Sequence, residues 1–300
     1  MGQSDLRRPC ARCRMTSRMD SRLYNPAVLA LAVLAVFPAG LQAQAILLQI
    51  KPRAGDTLIV RLDQKVEMSG APVNCGSNQL RNKSSSGSCA TLSRKMTTVS
   101  EVFSRAIVQS VSGGKANVLA ITDSVRTAAS RGTVTGRPER VRGREGSMRL
   151  KVSLDGGAEV VDEGASDELR SIFVQMPAML SKKPVRVGGK WTREMRIPIA
   201  GEAGAMGLVR ATFQLDSLGR NGDIAYITMR GTLTHDHRDG SNSELDGWMT
   251  GSIELDRRLA WITGTRAEID VTSLYHPSAG SEPMRVRTRV TQVLKAGLAR

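Results

Sequence analysis

The sequence predicts a mainly β protein, an antiparallel meander curled into a half-barrel around one central amphipathic helix. Three observations predict it. About ten segments alternate apolar and polar residues with period two, the mark of strands with one buried face. Short turns rich in Gly, Asn and Asp join most of them, which makes neighbouring strands antiparallel. Only the stretch from Gly164 to Pro198 carries helical spacing. A sheet with one apolar face must cover it, and the helix is the element available to do so.

The first 45 residues read as a cleavable export signal. Ala27 to Phe37 is an uninterrupted apolar run, too short to span a bilayer. Arg18 and Arg22 precede it and small residues follow it. Ala43-Gln44-Ala45 fits the small-x-small rule, which places cleavage after Ala45, with Ala43 as the alternative. Met15 and Met19 are alternative starts. No Cys follows the run, so no lipid anchor is expected. The expected location is the periplasm or the extracellular space. Removing the leader lowers the net charge from +15 to +11, still basic enough to matter for solubility and anionic surfaces. Cys10 and Cys13 leave with the leader, and the remaining pair, Cys75 and Cys89, is most simply a disulfide in an exported chain.

Residues 46–300 are read as one β domain. Leu58, Val60, Leu62, Val66 and Met68 share one face, opposite Arg61, Asp63, Lys65 and Glu67. Residues 70–93 are a Gly/Ser/Asn loop pinned at its base by the two cysteines. Met96 to Val111 resumes as a strand with Val99, Phe103 and Ile107 on one face. Ser112-Gly-Gly-Lys115 is a hairpin turn, and Ala116 to Asp123 returns. Ser130 to Gly146 lacks apolar periodicity and holds Arg137, Arg140, Arg142 and Arg144. It reads as a solvated loop, and functionally as a grip for an anionic polymer or membrane surface. It has no interleaved aromatics for base stacking, which weakens a nucleic-acid reading, and no specific nucleic acid is expected.

Met148 to Leu154 and Ala158 to Val161 form a hairpin. Leu169, Ile172, Phe173, Met176 and Leu180 then fall on one helical stripe, capped by Ser166, which predicts a helix near 166–180 that Pro177 kinks or shortens. Val187-Gly188-Gly189 turns the chain into a strand carrying Trp191, Met195 and Ile197. Alternating strands follow at Val209–Leu215, Ile224–Leu233, Trp248–Leu255, Ala260–Val271 and Met284–Leu294.

This order, with Pro184, Val187, Gly188 and Trp191 entering the second meander and Gly251, Leu255 and Asp256 in the penultimate hairpin, resembles exported proteins related to the LolA/LolB-like lipoprotein-carrier superfamily. The resemblance implies a half-barrel with helices on its concave side, where several members hold acyl chains or hydrophobic segments. Gly189 stands where that family usually has an acidic residue.

The chain lacks the sequence signatures of a lipase-type nucleophile, a phosphate-binding loop, a zinc protease or a dinucleotide site. His235 and His237 would share one side of a strand, but a third metal ligand is not evident, and the polar end of a hairpin explains them. The expectation is a non-enzymatic binding protein without cofactor, metal or stable oligomer. A lipid-like or hydrophobic ligand would lie against Phe103, Leu150, Phe173, Met176, Trp191, Met195 and Phe213. The alternative is an envelope scaffold acting through the basic surface.

Overall fold

The computed structural model describes residues 44–73, 94–131, 134–135, 139–141, 146–162, 178–198, 206–235, 244–275 and 283–299. Ala43 to Arg300 form one compact unit. Its strands are β1 (Thr57–Pro72), β2 (Arg94–Ser112), β3 (Lys115–Arg131), β4 (Val134–Thr135), β5 (Glu139–Val141), β6 (Ser147–Ser153), β7 (Ala158–Val160), β8 (Lys190–Pro198), β9 (Met206–Gly219), β10 (Ile224–His235), β11 (Leu245–Asp256), β12 (Trp261–Tyr275) and β13 (Met284–Leu298).

All thirteen strands belong to one antiparallel sheet, in the order β7-β6-β3-β2-β1-β13-β12-β11-β10-β9-β8, with β4 and β5 paired to β3 beside this path. The first strand therefore lies in the middle. From β1 the chain meanders outward to one edge at β7, restarts at the other edge with β8, and meanders back until β13 closes against β1. That seam is continuous from Leu58 opposite Leu298 to Pro72 opposite Met284. Short turns force the β2–β3, β6–β7, β9–β10 and β11–β12 pairings, and the β1–β13 pairing is the long-range one.

Several strands are long. β2 has 19 residues, β3 has 17 and β1 has 16, against about 5–6 for the common strand. The core is gathered toward one end of them. Leu58, Ala106, Ala120 and Met148 sit opposite one another on β1, β2, β3 and β6, and all are buried. Phe213, Leu215, Ile227, Ile253 and Leu255 continue the same buried face across β9 to β11. The side of the sheet that carries these residues is called the core face below.

The extended segment before β1 ties this end together. Ile46 exchanges backbone hydrogen bonds with Val185, at 2.9 and 2.8 Å. The Ile50 N–H donates to Leu154 O in the β6–β7 turn, and the Lys51 N–H donates to Ala260 O in the β11–β12 turn. Leu48 and Ile50 are buried in the core between these anchor points. A second tie joins the two edges of the sheet. The Leu180 N–H donates to Asp155 O, and the Asp155 carboxylate meets Arg193 of β8 at 3.4 Å.

Glycines make close strand approach possible on β10 and β11. A Cβ on Gly251 would meet Arg266 O at 2.2 Å and the Met229 side chain at 2.4 Å, and one on Gly247 would meet Asp270 O at 2.5 Å. Each glycine faces a large neighbour. Gly251 lies opposite Met229, Gly231 opposite Met249, and Gly247 opposite Leu233. Glycine at such a place lets the neighbouring backbone come close.

The described residues contain no α-helix, and the central helix at 166–180 is not borne out. Its last residues, 178–180, are not helical; Leu180 instead spends its N–H on the β6–β7 turn. Residues 163–177, with Ser166, Phe173 and Met176, lie outside the described residues. So do Cys75 and Cys89. The arginine-rich stretch is not wholly loop, because β3 runs past Asp123 to Arg131 and offers an edge on which β4 and β5 form. What stands is a mainly β chain in one open antiparallel sheet.

Candidate ligand-binding face

Beyond the buried end, the long strands β1, β2, β3, β12 and β13 differ sharply between their two sides. Every second residue from Leu58 onward shares the core face, and the register aligns these residues in rows across the sheet. One row is Leu294, Leu62, Val102 and Val125 on β13, β1, β2 and β3. The next is Gln292, Gln64, Ser100 and Thr127, in which the Ser100 and Thr127 hydroxyls lie 3.4 Å apart. A third contains Ile269, Val290, Val66 and Thr98. All twelve of these side chains are half-buried. None is charged. The face is thus apolar, with one belt of uncharged hydrogen-bonding groups crossing it.

The opposite side is ionic. Arg61 reaches Glu101 at 2.8 Å and Asp63 at 3.1 Å, and Arg126 reaches the same Glu101 at 3.3 Å. Lys65 pairs with its neighbour Glu67 at 2.8 Å, and the Lys65 ammonium, by donating to that carboxylate, lowers the Glu67 pKa. Asp270 is buried beneath Arg287 and Arg289, which donate to it through four N–H···O contacts of 2.8–3.1 Å. The hydrogen bonds from Arg287, followed by those from Arg289, outweigh burial and hold the Asp270 carboxyl below the usual carboxylate range, while the Arg287 guanidinium is pushed up in turn. Alternation along each strand produces this segregation: Leu62, Gln64 and Val66 point one way, Arg61, Asp63, Lys65 and Glu67 the other.

The residues expected to line a ligand site fall into three groups. Leu150, Met195 and Phe213 are buried core residues, and Trp191 packs on that core. Trp191 stacks on Phe213 with ring centroids 5.7 Å apart, and its indole N–H donates to Met179 O at 2.8 Å. These four come together, but as a filled interior at one end of the sheet. Phe103 does not join them. It lies opposite Arg61 on the ionic side, with the Arg61 and Arg126 guanidinium groups 5.5 and 6.0 Å from its ring centre. Phe173 and Met176 are outside the described residues.

Of the four arginines expected to grip an anionic surface, Arg140 is placed by its backbone on β5 opposite Arg126. Arg137, Arg142 and Arg144 are outside the described residues. His235 is buried at the end of β10; His237 is not described. Among the described residues, no three His, Cys, Asp or Glu side chains are grouped to hold a metal ion, and no helix is long and apolar enough to cross a membrane.

A polar latch beside the core was not anticipated from the sequence. The Asp155 carboxylate accepts from Ser153 Oγ at 2.6 Å and faces Arg193 and Lys182. Burial pushes its pKa up, but the hydrogen bonds from Ser153 and the Gly157 N–H, with the two cations, outweigh it and leave the carboxyl below its ordinary value. Arg193 also donates to Leu180 O, so one guanidinium joins the two edges of the sheet. The residues of the segment before β1 were also missed, although Ile46, Leu48 and Ile50 alternate with Leu47, Gln49 and Lys51 as a strand would.

Residues 159–262, about a third of the chain, match a family of unknown function (DUF6263). No curated protein sequence matches the chain. Among solved structures, lipovitellin, described for its lipid–protein interactions, is similar at 11% identity and a TM-score of 0.46, covering 83% of this chain; the chain spans 26% of lipovitellin's length. The OccK5 (OpdH) protein of Pseudomonas aeruginosa is similar at 7% identity and a TM-score of 0.23, with coverage of 83% of this chain and 100% of that one. The outer membrane protein OprG of the same organism is similar at 8% identity and a TM-score of 0.18, again covering 83% of this chain and all of that one. Likeness at these scores says nothing about activity or ligand, and the resemblance to lipoprotein carriers remains a resemblance.

Proposed function

We propose that this protein is an exported, non-enzymatic carrier that holds the acyl chain of a lipid on the core face of its sheet, and that the sheet coils so that this face is concave. The observation that carries the reading is the segregation of the two sides. Beyond the packed end, the three successive rows of the core face that run from Leu62 to Val66 across β1, β2, β3, β12 and β13 are free of charge and only half-buried. The other side is closed by ion pairs. An apolar surface left partly in water stabilises any apolar molecule that covers it, at about 25 cal/mol per Å². A barrel spanning a membrane would present the reverse arrangement, apolar outside and polar within.

Length agrees with the occupant. From Leu62 to Met68 a strand rises roughly 20 Å, and one acyl chain occupies about 15 Å, half of a bilayer's hydrocarbon core. Coiling is supported by the glycines of β10 and β11 and by the Asp155–Arg193 tie between the two edges. Export is supported by the leader. A scaffold role through the basic surface has less support, because Arg61, Arg126, Arg287 and Arg289 already have carboxylate partners.

The test is equilibrium titration of the delipidated protein with a fluorescent long-chain fatty acid. Val66→Glu and Leu294→Lys place charge on the core face at exposed enough positions to fold. Each is expected to weaken binding at least tenfold, while Arg266→Gln on the other side leaves it unchanged. Equal affinity in all four proteins contradicts the reading.

A further inference from the structure

We infer that the end of the sheet nearest the packed core carries a pocket for a phosphate or phosphate ester, separate from the apolar face and not dependent on that reading. Three turns converge there: residues 51–56 before β1, the β9–β10 turn, and the β11–β12 turn. Between them lies a cavity of about 600 Å³, a size ordinary for a small-molecule site. Lys51, Arg53, Arg220 and Arg258 line it together with Asp56, Asp223 and Asp256.

The charges on this lining are not used up by one another. Arg258 approaches Asp223 at 3.7 Å. Lys51, Arg53 and Arg220 have no carboxylate within ion-pair reach among the described residues. Two of the three carboxylates are committed to the turns that build the pocket. Asp56 Oδ2 accepts the Arg53 N–H at 2.9 Å, and Asp256 Oδ1 accepts the N–H groups of Arg258 and Leu259, both at 2.9 Å. The cavity therefore offers a ligand an ammonium and guanidinium groups with open donors, four cations against three carboxylates. Planar guanidinium forks match the oxygens of a phosphate, and an ammonium adds a point charge.

A second observation singles out Arg220. Its φ is +48°, in the left-handed region that glycine adopts freely and other residues adopt under strain. The hairpin turn needs positive φ at this position, and Asn221 and Gly222, also at positive φ, are residue types at home there. Ala260 in the β11–β12 turn has the same backbone geometry, so what sets Arg220 apart is its side chain, which lines the cavity and has no acid partner among the described residues.

The same substitution separates the two roles. Arg220→Gly relieves the backbone and removes the cation. Calorimetric titration with inorganic phosphate and with glycerol 3-phosphate is expected to show saturable binding to the full-length protein. Binding should weaken at least tenfold in Arg220→Gly and in Lys51→Gln/Arg53→Gln, with Tm unchanged or raised in the former. Arg230→Gln, on the exposed side of β10, should bind as the parent does. Flotation with phosphatidylglycerol vesicles distinguishes the source: capture that depends on Arg220 assigns a lipid headgroup, and binding of the soluble esters without capture assigns a free phosphate ester. The inference is overturned if no saturable binding occurs, if Arg220→Gly and the double variant bind as the parent does, or if Arg230→Gln weakens binding equally. Fatty-acid binding is read separately, so either result leaves the other interpretable.

Discussion

Asp270 is a carboxylate buried on the outer side of the sheet and held by two guanidinium groups. Its role sets a pH dependence. The pKa is lowered in the folded protein, by the Arg287 hydrogen bonds first. A depressed carboxyl contributes stability that is complete above its unfolded value, near 3.9, and is lost as pH falls through the lower folded value. Asp270→Asn removes the charge and leaves two arginines facing an amide. The expected cost at pH 7 is about 1–3 kcal/mol, the range for hydrogen bonds to charged groups, tempered by the half-exposure of both arginines. Urea titration should show the gap between parent and variant closing below about pH 4. A gap that is the same at pH 7 and pH 3 would show that shape, and not charge, makes Asp270 matter. At the same scale, Phe103 shows what the sequence could not decide. β2 carries apolar residues on both sides, Val99, Phe103 and Ile107 on one and Val102, Ala106 and Val108 on the other. Period two alone leaves its facing open. The answer comes from the neighbour, since β1 sets Arg61 against Phe103 and Leu62 against Val102. Aligning the two alternations across the hairpin would have placed Phe103 beside the charges.

Among elements, the strands were legible because alternation and turn chemistry are local. The pairing of β1 with β13 was not, because nothing in either strand names a partner more than 200 residues away. Nor were β4 and β5, which have no alternation of their own and form where β3 offers an open edge. The helix was expected from a stripe whose described end, Leu180, is not helical and is buried in the core. Two substitutions test the elements that the sequence underplayed. Gly251→Ala would drive a Cβ into Arg266 O and the Met229 methyl. Forcing extra volume into a packed site costs about 1–3 kcal/mol or more, and the close backbone oxygen puts this variant at the upper end. A chemical-denaturation midpoint equal to the parent's would mean that β11 and β12 have room to part. Leu48→Ala should cost about 2–5 kcal/mol, as expected for a fully buried leucine. If the variant unfolds at the parent's midpoint, the segment before β1 is not the clasp that its hydrogen bonds to Val185, Leu154 and Ala260 describe.

At the scale of the molecule, the thirteen strands among the described residues form one sheet whose two sides differ in chemistry. One carries the ion pairs of Arg61, Lys65, Arg126, Arg287 and Arg289; the other shows three uncharged, half-buried rows across five long strands and is packed at one end. The sequence foretold an apolar face in strand after strand. It did not reveal that the large residues Leu150, Met195 and Phe213 would be consumed by the core, with Trp191 packed on it, or that Leu62, Val66, Val102, Val290 and Leu294 would be left half-covered. Which part of a face is filled depends on where the chain ends and turns gather, and that is a property of topology. The central claim is that this half-covered face holds an acyl chain, and its most direct measurement is native mass spectrometry of the protein purified without detergent. The account predicts adducts in the mass range of lipids, lost on organic extraction, restored by adding a long-chain fatty acid, and absent from Val66→Glu. A spectrum of bare protein before and after fatty-acid addition, or adducts that persist unchanged in Val66→Glu, would contradict it.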